Sequence, residues 1–181
     1  MSNCRTIFHG SWRQLGCIIS EMHRIRLEKQ KLNFSSAHFI TFENECETLH
    51  GHNYYTVVEI AGKPDENHYI VDFKVLKREM AELCEELDHK TLIATQNRHL
   101  SVKKTADNVE VKYQDRTYSF PTSDVALLPI PNTTVEMLSE YLCVRLREAL
   151  DKKGYLARAC YLEVGVEESL GQMASFRIDI L

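Results

Sequence analysis

The 181-residue sequence has no stretch of about 18 consecutive apolar residues, so no membrane span is expected. The one short apolar run near its start, Leu15 to Ile19, is flanked by Arg13 and Glu21 and is too short and too polar for a signal peptide. There is no CxxC pair and no disulfide-rich composition. The six cysteines at 4, 17, 46, 84, 143 and 160 are scattered, which fits mostly buried thiols in a reduced, cytoplasmic protein. Neither sign of charge forms a long run and the net charge is −4, so nucleic acid is not expected as the main partner. No internal repeat or low-complexity segment occurs. What is present is 44% apolar residues, enough for the core of one domain.

The rest of the chain is organised around Cys46-Glu47-Thr48-Leu49-His50-Gly51-His52. Side chains alternate along a strand, so His50 and His52 share a face and can reach one metal ion. His38, twelve residues before His50, joins them if two strands pair across a short connection. Three histidines leave one position of a tetrahedral zinc open, as a catalytic site requires. A cupin also uses His-x-His, but it wants a glutamate four or five residues later, and Glu59 lies seven after His52. Cys46 has two readings: a fourth zinc ligand that closes the site, or a base whose thiol is acidified by zinc or by a protonated His89. Its offset from the histidine pair favours the base.

Residues 24–39 read as one long strand, residues 40–49 as a loop, and His52 to Ile60 as an antiparallel partner strand. Asp72 can cap a helix that buries Leu76, Met80, Leu83 and Leu87 and ends near Asp88-His89. Residues 92–130 are expected as an insertion with a hairpin at Val109 to Phe120, turning at Gln114-Asp115. A second helix starts near Thr133, with Val135, Leu138, Leu142, Leu146 and Leu150 buried and Gly154 as its stop. Strands follow at Tyr161 to Glu168 and at Ala174 to Ile180. Residues 1–22 are expected as an N-terminal extension to a domain spanning 23–181.

Asp88 and His89 can relay a proton, since histidine titrates near neutral pH; the alternative is a histidine that favours a helix C-terminus. Thr133-x-x-Glu136 reads equally as a capping box. Glu168 alternates with Val164 and Val166, so a carboxylate points where the apolar face points and should have a partner there. Glu167 faces the other way, towards solvent.

Six motifs in order carry a resemblance: SAHF at 36–39, HGHNY at 50–54, VDF at 71–73, LDH at 87–89, TVE at 134–136 and VEES at 166–169. Together they resemble the 6-pyruvoyl-tetrahydropterin synthase family, which includes the 6-carboxytetrahydropterin synthases of queuosine biosynthesis. The resemblance implies an α+β T-fold: a four-stranded antiparallel sheet, strand order ββααββ, with two helices on one face. It implies a homohexamer, a dimer of trimers, with active sites between subunits. It implies Zn2+ on His38, His50 and His52, proton transfer by Cys46, Asp88 and His89, and pterin binding by Glu168 with Thr134 and Glu136. A cysteine four residues before the first histidine of HGH is similar to the carboxytetrahydropterin synthases. A glutamate three residues before it is similar to a folate-pathway subtype that releases 6-hydroxymethyl-dihydropterin. This chain has both, Cys46 and Glu47. The implied function is a zinc-dependent carbon–oxygen or carbon–carbon lyase acting on 7,8-dihydroneopterin triphosphate, most like 6-carboxytetrahydropterin synthase. The alternatives are the folate-pathway type, 6-pyruvoyl-tetrahydropterin synthase itself, and a catalytically idle zinc protein that binds a pterin or purine.

Overall fold

The structure, a computed structural model, describes residues 22–28 and 32–180. Apart from Met22, the expected N-terminal extension lies outside the described residues.

The expected long first strand is broken in two. Strand β1 (His23–Leu27) and strand β2 (Asn33–His38) pair one after the other with the same edge of β5 (His50–Gly62). Leu27 faces Val58 and Asn33 faces Tyr55, so six residue steps on one side oppose three on the other. The other edge of β5 pairs with β11 (Ala159–Ser169), which pairs in turn with β12 (Gln172–Asp179).

A four-stranded sheet was expected; among the described residues the main sheet has seven strands. Its order is β10-β6-β2-β5-β11-β12, with β1 also on β5. The additions are β6 (Lys90–Ala94) and β10 (Val125–Leu128), parallel to each other and joined to β2 through β6. The sheet is therefore mixed. Lys-Thr-Leu-Ile-Ala and Val-Ala-Leu-Leu are short apolar runs without alternation, which periodicity alone cannot assign. They form the stem of the insertion. Its body is a separate three-stranded sheet of β7 (Ser101–Lys104), β8 (Asn108–Tyr113) and β9 (Arg116–Pro121). The expected hairpin turns at Gln114, which takes a positive φ of 52°, and Asp115.

Helix α1 (Phe73–Leu87) begins where Asp72 accepts the Lys74 N–H at 2.7 Å, a cap worth about 1 kcal/mol. Helix α2 (Val135–Asp151) begins at Thr134, whose hydroxyl accepts the Met137 N–H. The expected capping box from Thr133 to Glu136 does not form, because Thr133 donates its hydroxyl to the Phe39 carbonyl instead. Both helices lie on one face of the sheet, their buried Leu76, Met80, Leu138, Leu142 and Leu146 packing on Phe34, Val58, Ile60, Leu162 and Val164. A second apolar cluster joins Phe39, Cys46 and Ile93 of the main body to Val109, Val111 and Tyr113 of the insertion.

The expected loop at 40–49 contains a miniature ribbon, β3 (Thr41–Phe42) against β4 (Glu45–Cys46). Glu43 and Asn44 connect them with φ of 46° and 68°, the two left-handed residues of a tight hairpin turn.

Candidate active site

Strands β2 and β5 bring the three histidines together. His38 pairs with His50 and Ser36 with His52, so all three rings stand on the helix-covered face at one end of the core. Their candidate ligand nitrogens all lie within 4.8 Å of one another, and Cys46 is not part of the group. His38 is fully buried. Its Nδ1 is 2.9 Å from the Thr133 carbonyl and His50 Nδ1 is 2.8 Å from the Thr48 carbonyl. A carbonyl can only accept, so each Nδ1 carries the proton and each Nε2 keeps a lone pair for a metal. His38 Nε2 is buried without a hydrogen-bond partner. Burial lowers the His38 pKa to about 4, so its ring is neutral at pH 7, as a ligand must be. The donor set and the orphaned nitrogen fit zinc with one position left for another ligand.

Two further buried polar atoms without hydrogen-bond partners are the hydroxyl of Tyr54, whose ring packs on the triad, and Oε2 of Glu47, whose carboxylate acts on Tyr54. The Tyr54 ring lies 5.6 Å from His52 and 5.8 Å from His38, stacked on Phe34 at 4.8 Å. Burial pushes its phenol pKa up, and the Glu168 and Glu47 carboxylates push it the same way. Both carboxylates therefore act on the Tyr54 end of the triad. Glu168 is the extra residue of a bulge: Glu167 and Ser169 face the successive residues Met173 and Gln172. A bulge re-aims the side chain it carries. Glu167, expected in solvent, accepts the Gly171 N–H and stabilises the adjoining turn. The sequence reading missed Tyr54, which sat inside the quoted motif; its 0% exposure with a polar tip was the missing signal.

Cys46 is buried in the second apolar cluster. Burial raises its thiol pKa, partly offset by the Arg116 guanidinium and reinforced by Glu47. A base needs the opposite shift.

The Asp88–His89 pair is made but is not joined to the triad. Asp88 accepts the Ser35 N–H at 2.7 Å and the His89 Nδ1–H at 2.7 Å. The Ser35 bond, then His89, hold the Asp88 carboxyl below its ordinary range. His89 is 83% exposed at its side chain and has a left-handed φ of 55°. His89 borders a cavity of about 510 Å3 whose lining also includes Ser35, Ala37, Gly51, Asn53 and the triad residue His52. Thr134 follows Thr133, whose carbonyl orients His38, and caps α2; Glu136 is exposed in the first turn of that helix.

The family model described as 6-pyruvoyl tetrahydropterin synthase matches residues 27–179. The chain belongs to this family. A provisionally named 6-carboxy-5,6,7,8-tetrahydropterin synthase of Methanocaldococcus jannaschii is 35% identical over 147 residues, 81% of this chain and 90% of that one. A protein of Pyrococcus abyssi with the same provisional name is 33% identical over 72% of this chain and 78% of its own length. Among solved structures, the 6-pyruvoyltetrahydropterin synthase of Plasmodium vivax, a catalytic-residue mutant with glutamate changed to alanine, superposes with a TM-score of 0.84 at 30% identity. That match covers 88% of this chain and 99% of the other. The Plasmodium falciparum enzyme matches equally widely, with a TM-score of 0.83 at 30% identity. The family is one of metal-dependent, lyase-type enzymes, and its histidine triad is present here. Among the described residues no helix is long and apolar enough to cross a membrane.

Proposed function

We propose that the protein is a zinc-dependent lyase that shortens the side chain of 7,8-dihydroneopterin triphosphate, with Glu47 as the proton acceptor. The observation that carries this reading is a set of unpartnered buried polar atoms: His38 Nε2 in the triad, the hydroxyl of Tyr54, whose ring packs on the triad, and Oε2 of Glu47, whose carboxylate acts on Tyr54. A buried polar atom without a partner costs about 1–3 kcal/mol, a cost that a metal and a polar ligand would remove. His38, His50 and His52 would hold zinc, which would supply Lewis-acid polarisation of a side-chain oxygen. Glu47 would take the proton of the C2′ hydroxyl. The C1′–C2′ bond then breaks, its electrons pass into the pterin ring, and the two-carbon triphosphate fragment leaves as an aldehyde. Protonation at C1′ gives 6-hydroxymethyl-7,8-dihydropterin. Glu168 would accept two parallel N–H donors from the pterin ring, with Thr134 and Glu136 beside it. The Plasmodium vivax relative, in which a glutamate is named a catalytic residue, supports a carboxylate in this role. Asp88–His89 would relay protons to or from the ring, at a site built between subunits of a ring of trimers.

A second reading is favoured by the names of the archaeal relatives and by Cys46 four residues before His50: 6-carboxytetrahydropterin synthase, with Cys46 as base. Product identification by mass separates the two. Glycolaldehyde triphosphate with 6-hydroxymethyl-7,8-dihydropterin supports the first. Acetaldehyde, triphosphate and 6-carboxytetrahydropterin support the second. A pterin that binds and does not turn over would leave the non-enzymic reading.

A further inference from the structure

The insertion reaches the site. Arg116, next to the turn of its second hairpin, donates from Nη1 to the Cys46 carbonyl at 2.8 Å, across 70 residues of sequence. On the other side of that peptide, the Glu47 N–H donates to the Ile40 carbonyl at 2.9 Å. Val109, Val111 and Tyr113 of the insertion pack on Cys46 and Phe39. The peptide linking Cys46 to Glu47 is thus held by a charged donor, a backbone bond and an apolar floor, and two of the three include the insertion. The next residues, Thr48 and Leu49, lead directly to the ligand His50, whose Nδ1–H is taken by the Thr48 carbonyl. Glu47 has one carboxylate oxygen buried without a hydrogen-bond partner, so its own contacts do not account for its direction. Its backbone does.

We propose that Arg116 is a positioning residue: by holding the Cys46 carbonyl it keeps the Glu47 carboxylate turned into the site beside Tyr54 and the histidine triad. The insertion is then a working part of the site and not a surface elaboration. This rests on the reading of Glu47 as the proton acceptor. Arg116 touches no proposed ligand of the metal, so its loss should spare zinc binding. A charge-assisted hydrogen bond is worth roughly 1.5–3 kcal/mol, equivalent to about 10- to 150-fold in a local opening equilibrium.

The test uses full-length, zinc-loaded Arg116→Met and Arg116→Lys. Amide hydrogen exchange over residues 43–49 reads the anchor without catalysis. Steady-state kinetics on 7,8-dihydroneopterin triphosphate read its consequence. In Arg116→Met, exchange of this segment should rise at least ~10-fold while α1 and α2 keep their protection. kcat should fall at least ~10-fold with KM within a factor of two and the zinc content unchanged. Arg116→Lys, which keeps the charge, should recover part of both. Wild-type exchange at 43–49 in Arg116→Met would overturn the proposal, as would a rise shared equally by the helices. Faster exchange with unaltered kcat would also overturn it as a positioning role. If Glu47→Gln were equally active in the same assay, the failure would lie with Glu47 as proton acceptor, and the anchor itself would stand.

Discussion

Thr133→Val is the sharpest test of how the triad is held. Thr133 is 1% exposed, and its hydroxyl donates to the Phe39 carbonyl at 2.9 Å. Its own carbonyl accepts the Nδ1–H of His38 at 2.9 Å. Valine has nearly the same shape, so no cavity opens and no new clash arises. The helix cap is untouched, because Thr134 supplies it. What remains is a buried carbonyl on Phe39 with its donor removed, which costs about 1–3 kcal/mol. In the zinc-free protein, urea unfolding should show that loss as a lower midpoint with the same slope. The loosened Thr133 carbonyl should also weaken zinc binding by roughly 10- to 100-fold, the usual effect of disturbing the partner of a ligating histidine. Competition with a chromophoric chelator measures this directly. Thr133→Ser should restore both quantities. Unchanged stability and unchanged zinc affinity in Thr133→Val would refute the reasoning.

The remaining predictions are simpler. His50→Ala should lose the metal, whereas Cys46→Ala should keep one zinc per chain by elemental analysis, because the sulfur is not in the donor group. The Asp88 carboxyl is held below its ordinary pKa in the fold, so its bond to Ser35 stabilises the protein above the unfolded value near 4, and that stability is lost as pH falls through the lowered value. Asp88→Asn should therefore flatten the acid limb of the stability curve, measured by denaturant midpoint against pH. Gly62→Ala should destabilise by about 1–3 kcal/mol in thermal unfolding, since a Cβ there would run into the backbone carbonyl of Arg158.

Much of the site was legible because it obeys short-range rules. The alternation of His50 and His52, the Asp72 cap and the Gln114-Asp115 turn each depend on neighbours within a few residues. What was not legible depends on partners far along the chain. Strands β6 and β10 exist because they pair with each other and β6 pairs with β2, and nothing inside their four or five residues demands a strand. The sequence pattern puts the cap at Thr133; in the fold its hydroxyl goes to the Phe39 carbonyl and Thr134 caps the helix. Cys46 looked like a free thiol on a loop, but the insertion folds over it and its burial raises its pKa. Arg116 carried no motif, and its role is visible only from the carbonyl it reaches.

The central claim is that Glu47, and not Cys46, takes the proton beside a zinc held by three histidines. The deciding measurement is the turnover of 7,8-dihydroneopterin triphosphate by zinc-loaded Glu47→Gln and Cys46→Ala, with products identified by mass. Glu47→Gln should lose at least ~100-fold in kcat, the low end for removal of a general base. Cys46→Ala should stay within a few-fold of the parent and release the same 6-hydroxymethyl-7,8-dihydropterin. Near-parental turnover by Glu47→Gln, with Cys46→Ala inactive, would contradict the account and make the buried thiol the base.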